Sequence, residues 1–458
     1  MNAEKKSVVI LIAFSAMIAI LSQNNAFFGD MVQFGSRHSH FFYENNFSSL
    51  WLPNSLDSGH PPVFGMYIAI CWKIFGKSLV VSHWAMFPFL LSIAFAIPRL
   101  LKKYVSESNL ILASILFFIE PTLLAQASLT SPDIVLVSFF LWAFIFYTEE
   151  KYILLSLALI PMSFISLRGM MMLFSFFIAI LFHQRKVEKK YILTFAPAVS
   201  ICFYWLFRHY QLFHWIGFHS DSPWASSFQS VGIAQMIKNF MLMIWRWIDF
   251  GRVSFWIILC VLFVFQLRKK TILTKTQKFS LILLFSSAIV FTINTIFADG
   301  LIGHRYYMPI YILALITSFQ LIELYVNRKQ LMYVIILASF FIGANYTYPN
   351  KIAMGWDATP AHRPYYKLRL KAIDYLEKNN IPLSSVGAGF PSLDSREYLE
   401  LNGDTSAFQS YANPNNRYIL WSNIFNYPDY LQDSIDKIEP IYSDENNGIF
   451  MKIIPLKK

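Results

Sequence analysis

The sequence predicts an all-α polytopic membrane protein carrying a small α/β domain at its C-terminal end. Three observations lead there. Hydrophobic residues fill 56% of 458 positions and charged residues only 14%, a balance outside that of soluble domains. Apolar runs approach the ~20 residues a helix needs to cross a bilayer. From Thr347 onward the pattern changes abruptly to charges, Asn and Pro spaced as in a water-soluble domain.

The N-terminus, Met1 to Lys6 followed by an apolar run from Ser7, has the outline of a signal peptide. No small-residue cleavage site precedes the next segment, so it reads as a retained span over 7–26. Further spans are expected near 78–98, 109–125, 132–147, 152–167, 169–182, 191–207, 253–267, 279–297, 308–325 and 331–346, about eleven in all. The apolar stretch 61–76 decides the parity of everything after it. If it does not cross, the loops at 5–6, 99–103, 151, 185–190, 268–278 and 328–329 share one side and hold 17 Lys and Arg, against nine in the longer opposite loops. The positive-inside rule makes the first set cytoplasmic. Letting 61–76 cross would put Arg99, Lys102 and Lys103 outside, so the stretch is read as interfacial or re-entrant.

That topology gives the extracytoplasmic face a long first loop (27–77), a second large loop (208–252), short loops near Asp133 and Asp299, and the tail. In the first loop, Met31, Phe34, His38 and Phe41 recur at three or four residues, the pattern of a helix lying on the membrane surface. Phe240 to Phe250 forms a similar piece before the eighth span. The tail reads as a helix over 365–378 and strands over 385–390, 417–422 and 448–454. The domains are therefore 1–346, membrane-embedded, and 347–458, extracytoplasmic.

The formal charge of +11 follows this orientation pattern, not a phosphate-binding face, which argues against a nucleic-acid partner. All three cysteines, Cys71, Cys202 and Cys260, lie in apolar segments and imply no disulfide framework. Glu120 is buried near the outer end of its span, an expensive position that calls for a partner or a cavity. Asp133 follows Ser131-Pro132 and suits a helix N-terminus, as a cap or a dipole partner. Arg168 and Arg305 could be interfacial anchors at helix ends. Asp57 and His60, with His38, His40 or Glu44, could bind zinc, although their spacing is not diagnostic and loop polarity also accounts for them.

Taken in order, a set of short motifs carries a resemblance. Gly29-Asp30 comes soon after the first span. His60-Pro61-Pro62-Val63-Phe64-Gly65 and Ile74-Phe75-Gly76 follow, then Glu120-Pro121 through Gln126 with Asp133. Ser166-Leu167-Arg168-Gly169 and His304-Arg305-Tyr306-Tyr307-Met308-Pro309 complete the set. Over roughly residues 1–345 it resembles the GT-C membrane glycosyltransferases, especially bacterial relatives of protein O-mannosyltransferases and the lipid A aminoarabinose transferase. The family often has an adjacent acidic pair where this chain has Asp30-Met31.

The resemblance implies an inverting transfer of a sugar from a polyprenyl phosphate to a lipid, glycan or protein acceptor outside the cytoplasmic membrane. Asp30 would then be the catalytic base, because an acceptor hydroxyl is a poor nucleophile until a carboxylate takes its proton. Asp133, Arg168, Arg305 and Tyr306, with Asp57 and His60 of the first loop, would bind substrate. The arginines would meet the charge that grows on the leaving phosphate. Such a reaction has room for a divalent metal but does not require one, and no cofactor is implied. Two other classes compete: a transporter or flippase of lipid-linked sugars, and a non-catalytic scaffold displaying its tail. Transporters commonly carry inverted repeats, and none is found here.

Overall fold

The computed structural model describes residues 1–217, 219, 229–300 and 302–456. Part of the expected 208–252 loop, residues 218 and 220–228, lies outside them. Helix α1 (Ala3–Ser22) leads through a loop and a π-helical turn (Val32–Arg37) into α2 (His38–Glu44) and α3 (Val63–Phe75). Then come α4 (Leu79–Trp84), α5 (Phe87–Leu101), α6 (Leu110–Phe118), α7 (Pro121–Ala127), α8 (Pro132–Thr148) and α9 (Tyr152–Phe164). The bundle is completed by α10 (Leu167–Gln184), α11 (Lys189–Phe213), α12 (Ile233–Ile248), α13 (Val253–Lys269), α14 (Lys275–Phe297), α15 (Met308–Tyr325) and α16 (Lys329–Asn345).

Six helical segments are long and apolar enough to cross a membrane, or up to eight if two bent pairs each make one crossing. The bends are 63° between α6 and α7 and 99° between α12 and α13. Helices α8, α9 and α16 are shorter apolar rods of 17, 13 and 17 residues. Each of the eleven expected segments therefore overlaps a helix, while length and composition qualify only some of them as full spans. Helix α3 has 13 residues, or about 20 Å against a hydrocarbon core of ~30 Å. That length suits the interfacial or re-entrant reading of 61–76.

Sequence explains the helix starts. Ser131, Ser166 and Thr274 lie just before α8, α10 and α14 and accept from backbone N–H groups of the first turns, relieving donors a helix leaves unpaired. Pro121 and Pro132 open α7 and α8, where a missing N–H costs nothing. Asp133 is thus not the cap; Ser131 is. Helix α15 is apolar all round and enclosed by its neighbours, with fifteen of its eighteen residues buried. The elbow between α12 and α13 turns on Gly251, at φ +81°. Helix α16 reaches that elbow through Gly343, where a Cβ would fall 2.1 Å from the Phe250 carbonyl carbon.

The first loop differs from expectation. The spacing of Met31, Phe34, His38 and Phe41 predicts one surface face, but Met31, Val32, Gln33, His38, Ser39 and His40 are all buried. The π turn rotates successive side chains to several sides, and α3 covers the segment on one side. Helix α18 (Arg396–Glu400), which follows α17 (Pro364–Lys378), packs against the π turn on another.

The C-terminal segment folds as a five-stranded mixed sheet with helices. Its strands are β1 (Val386–Ala388), β2 (Gln409–Ser410), β3 (Tyr418–Trp421), β4 (Tyr442–Asn446) and β5 (Ile449–Pro455), with α19 (Asp429–Ile435) between β3 and β4. The order is β2-β1-β3-β5-β4, with β1 parallel to both neighbours and β3, β5 and β4 antiparallel. The expected helix and three strands are present; β2 and β4, short or polar, were not anticipated.

Candidate active site

Helices α1, α8, α10 and α15 have one end in common, where the chain enters or leaves them through short polar turns. Asp30 follows α1, and its carbonyl accepts from the Gln33 and Phe34 N–H groups that begin the π turn. Asp133 lies in the first turn of α8 and Arg168 in the first turn of α10. Arg305 sits in a single 3-10 turn, His304–Tyr307, that feeds directly into α15.

A fifth group comes from beyond the last apolar helix. Asp357 occupies a 3-10 turn, Trp356–Ala358. Its carbonyl accepts from Gln126 Nε2 at 2.7 Å, and the Ala358 carbonyl accepts from Thr122 Oγ1 at 3.1 Å. Close approach requires Gly355, where a Cβ would fall 2.3 Å from His304 Nδ1. Two polar side chains and a missing one thus seat Asp357 against the His304-Arg305 turn.

The five groups form one ion-pair network. Arg305, 3% exposed, bonds Asp30 through Nη2, Asp133 through Nη1 at 3.3 Å and Asp357 through Nε at 2.9 Å. Arg168 Nη2 bonds the other oxygen of Asp133 at 3.0 Å. The Tyr306 ring faces both guanidiniums, 4.6 Å from that of Arg168 and 5.3 Å from that of Arg305. Arg305 thus meets three carboxylates and hydrogen-bonds two of them, Asp30 and Asp133. Arg168 Nη1, by contrast, is buried with no hydrogen-bond partner among the described residues.

Asp30, Arg168, Arg305, Tyr306, His60 and Ser58 line a cavity of about 230 Å³ together with apolar Phe34, Leu167, Met171 and Phe291 and, beside Phe291 on α14, Asn294 and Thr295. Such a cavity holds a polar group beside a hydrocarbon. His60 Nδ1 accepts the Leu167 N–H at 3.2 Å. Burial, reinforced by the charge of Arg168, pushes this imidazole down to about 3, so the neutral ring carries its proton on Nε2. Three carboxylates against two guanidiniums leave one negative charge in excess, and burial raises the Asp357 carboxyl above its ordinary value against the opposing pull of Arg305.

Sequence reasoning placed Asp30, Asp133, Arg168, Arg305, Tyr306 and His60 here, and the structure brings all six together. Asp57 does not join them. It is buried beside His209, with Oδ2 3.0 Å from Nε2, and its Oδ1 accepts the Gly59 N–H. The alternative of a zinc site built on Asp57 and His60 does not assemble either. Asp57 is spent on His209, His38 Nε2 is bonded to the Leu56 carbonyl at 3.0 Å, and His60 Nδ1 is bonded to backbone. Glu120 has the partner it required: Arg252 Nε at 2.6 Å, both side chains fully buried. Asp357 was missed; an acid twelve residues past the last apolar helix was its only signal.

No family model and no curated protein matches the chain. Among solved structures, the crystal structure of ArnT from Cupriavidus metallidurans bound to undecaprenyl phosphate matches with a TM-score of 0.56 at 10% identity. The match covers 97% of each chain, so the likeness extends past residue 345 into the C-terminal segment. Over nearly its whole length, this chain, with six or more helical segments long and apolar enough to cross a membrane, is similar in fold to ArnT.

Proposed function

We propose that this chain is a membrane glycosyltransferase that moves a sugar, hexosyl or pentosyl, from a polyprenyl phosphate to a lipid, glycan or protein acceptor, with inversion. One observation supports this above all: the Asp30 carboxylate and the Arg168 and Arg305 guanidiniums line one cavity together with apolar side chains. The solved relative in fold was crystallised with undecaprenyl phosphate, a ligand of the shape that such a cavity would take. The basic loops lie at the far end of the bundle, linked by Lys102–Glu4, Arg99–Glu149 and Lys151–Glu149 ion pairs. With those loops cytoplasmic, the site and residues 347–458 lie on the extracytoplasmic side of the cytoplasmic membrane.

In the proposed reaction the acceptor hydroxyl oxygen attacks the anomeric carbon from the face opposite the phosphate, and Asp30 takes its proton. The bond between that carbon and the phosphate oxygen breaks, leaving a polyprenyl phosphate with added charge. Arg168 Nη1, without a hydrogen-bond partner among the described residues, and the Nε2–H of His60 receive it. A charge-assisted bond to a preformed donor costs little reorganisation. Arg305 orders the three carboxylates, so that Asp30 faces the cavity while Asp133 holds Arg168.

The experiment is transfer from a radiolabelled polyprenyl-phosphate sugar by the purified chain in liposomes. Asp30→Asn is expected to reduce kcat about 10²-fold or more, with donor KM little changed. Arg168→Lys keeps the charge but loses the planar fork, and it should raise the donor KM and lower kcat together. Full activity in Asp30→Asn would overturn the mechanism.

A further inference from the structure

His40 and Glu44 lie four residues apart on α2, so their side chains share one helical face. Glu397, on α18 of the C-terminal segment, closes against that face. One ligand atom from each of the three lies within 4.8 Å of the others. None of these residues belongs to the ion-pair network around Arg305.

The imidazole is held ready to ligate. His40 is 2% exposed, and its Nδ1 is 3.0 Å from the Ser36 carbonyl. A carbonyl only accepts, so Nδ1 carries the proton and Nε2 presents its lone pair. That Nε2 is buried and has no hydrogen-bond partner among the described residues. The rings of Trp72 and Tyr398 meet the imidazole edge-on at 5.0 and 4.8 Å and fix its plane. A ring nitrogen bonded to a backbone carbonyl, with the other nitrogen free, is the usual arrangement of a metal-binding histidine. The carboxylates are only loosely compensated: Lys77 Nζ lies 3.9 Å from Glu44 and 3.6 Å from Glu397, beyond hydrogen-bond reach of both.

We propose that His40, Glu44 and Glu397 bind one divalent transition-metal cation, zinc or an ion of similar preference, and that this ion fastens α18 to α2. Imidazole nitrogen and carboxylate oxygen are both zinc donors, and water can fill the fourth position of a site with three protein ligands. Donors about 2.1 Å from one tetrahedral ion stand ~3.4 Å apart, so atoms that now lie within 4.8 Å of one another close by up to about an ångström and a half when the ion binds. Glu44, half exposed, has the freedom to do it. Lys77 is then displaced from between the carboxylates. The join falls on a seam already held by the Arg37–Asp394 ion pair and by the Ser36 hydroxyl donating to the Tyr398 carbonyl. That seam runs along the segment that starts at Asp30.

The test uses the purified full chain, stripped with a chelator and titrated with zinc, with cobalt as a spectroscopic probe. Metal content is read by mass spectrometry and stability by thermal unfolding. One equivalent of zinc per chain is expected, together with a tetrahedral cobalt absorption band and a raised Tm. Glu397→Gln and His40→Asn should each weaken binding at least about tenfold, and Lys77→Met should tighten it. Size-exclusion profiles matching the parent establish that the variants are folded. Substoichiometric metal in the parent, or unchanged zinc affinity in folded Glu397→Gln, overturns the proposal. Because these readouts do not involve sugar transfer, failure here leaves the glycosyltransferase reading intact, and the converse also holds.

Discussion

Asp357 bears the imbalance of the site. Asp30, Asp133 and Asp357 surround two guanidiniums, and burial raises the Asp357 carboxyl more than Arg305 lowers it. A carboxyl whose pKa is higher in the folded than in the unfolded state favours folding at low pH, and that contribution is lost as pH rises through the folded value. At neutral pH the ionised Asp357 therefore costs stability. Asp357→Asn is expected to raise the Tm at pH 7.5, with the gain shrinking as the buffer is taken down toward pH 4. The same substitution should lower transfer activity, because Asn accepts from Arg305 without charge and no longer restrains it beside Asp30. Unfolding curves over that pH range, paired with transfer assays, check both halves; a lower Tm at pH 7.5 would contradict this account of the charge.

Helices α6–α7 and α12–α13 are each broken, and each break carries a buried charge. Glu120 caps α7 through the Leu123 N–H, and Arg252 ends the elbow after Asp249. The two meet at 2.6 Å, with Thr122 and the Asp249 carbonyl taking further guanidinium donors. Neighbouring Asp249 accepts from His304 Nε2 at a distance of 2.7 Å, which ties both breaks to the turn bearing Arg305. Removing one member strands the other in an apolar interior, so Glu120→Gln and Arg252→Met are each expected to cost ~3–5 kcal/mol. A Glu120→Leu/Arg252→Met pair should recover much of that, as read by a double-mutant cycle on thermal unfolding.

How far such features could be read in the sequence depended on where their partners lie. An acid isolated in an apolar run announces its need for a counter-charge, but Arg252 stands 132 positions away and only tertiary packing selects it. Asp30, Asp133, Arg168 and Arg305 were legible because polar residues stand out at the ends of greasy helices. Asp357 was not, because it sits among the ordinary charges of a soluble segment. The first loop misled for a different reason. Periodicity assumes 3.6 residues per turn, and a π turn breaks that phase.

The C-terminal segment and the helical bundle are joined by buried imidazoles, which makes the whole molecule sensitive to acid. His362 stacks on Phe28, two residues before Asp30, at 5.2 Å, and its Nδ1 is held by the Thr359 carbonyl. His38 and His60 lie within the bundle itself, His38 against Gly65 of α3 and His60 against the start of α10. Burial lowers His38 and His362 to about 4 and His60 to about 3. A base whose folded pKa lies below its unfolded value of ~6.5 contributes stability that is complete above that value and is lost as pH falls toward the folded one. Each imidazole should then cost up to about 2 kcal/mol at pH 5 relative to pH 7. Asp357 titrates in the opposite sense, and it is a single group against three. Thermal unfolding in non-titrating buffers is therefore expected to show Tm falling steadily from pH 6.5 to 5, with a shallower slope in His362→Gln. Transfer activity should fade over the same interval, because the seam that seats Asp357 against Arg305 is the part that loosens first. A Tm that stays flat across the interval would show that these rings are not held neutral in the folded protein.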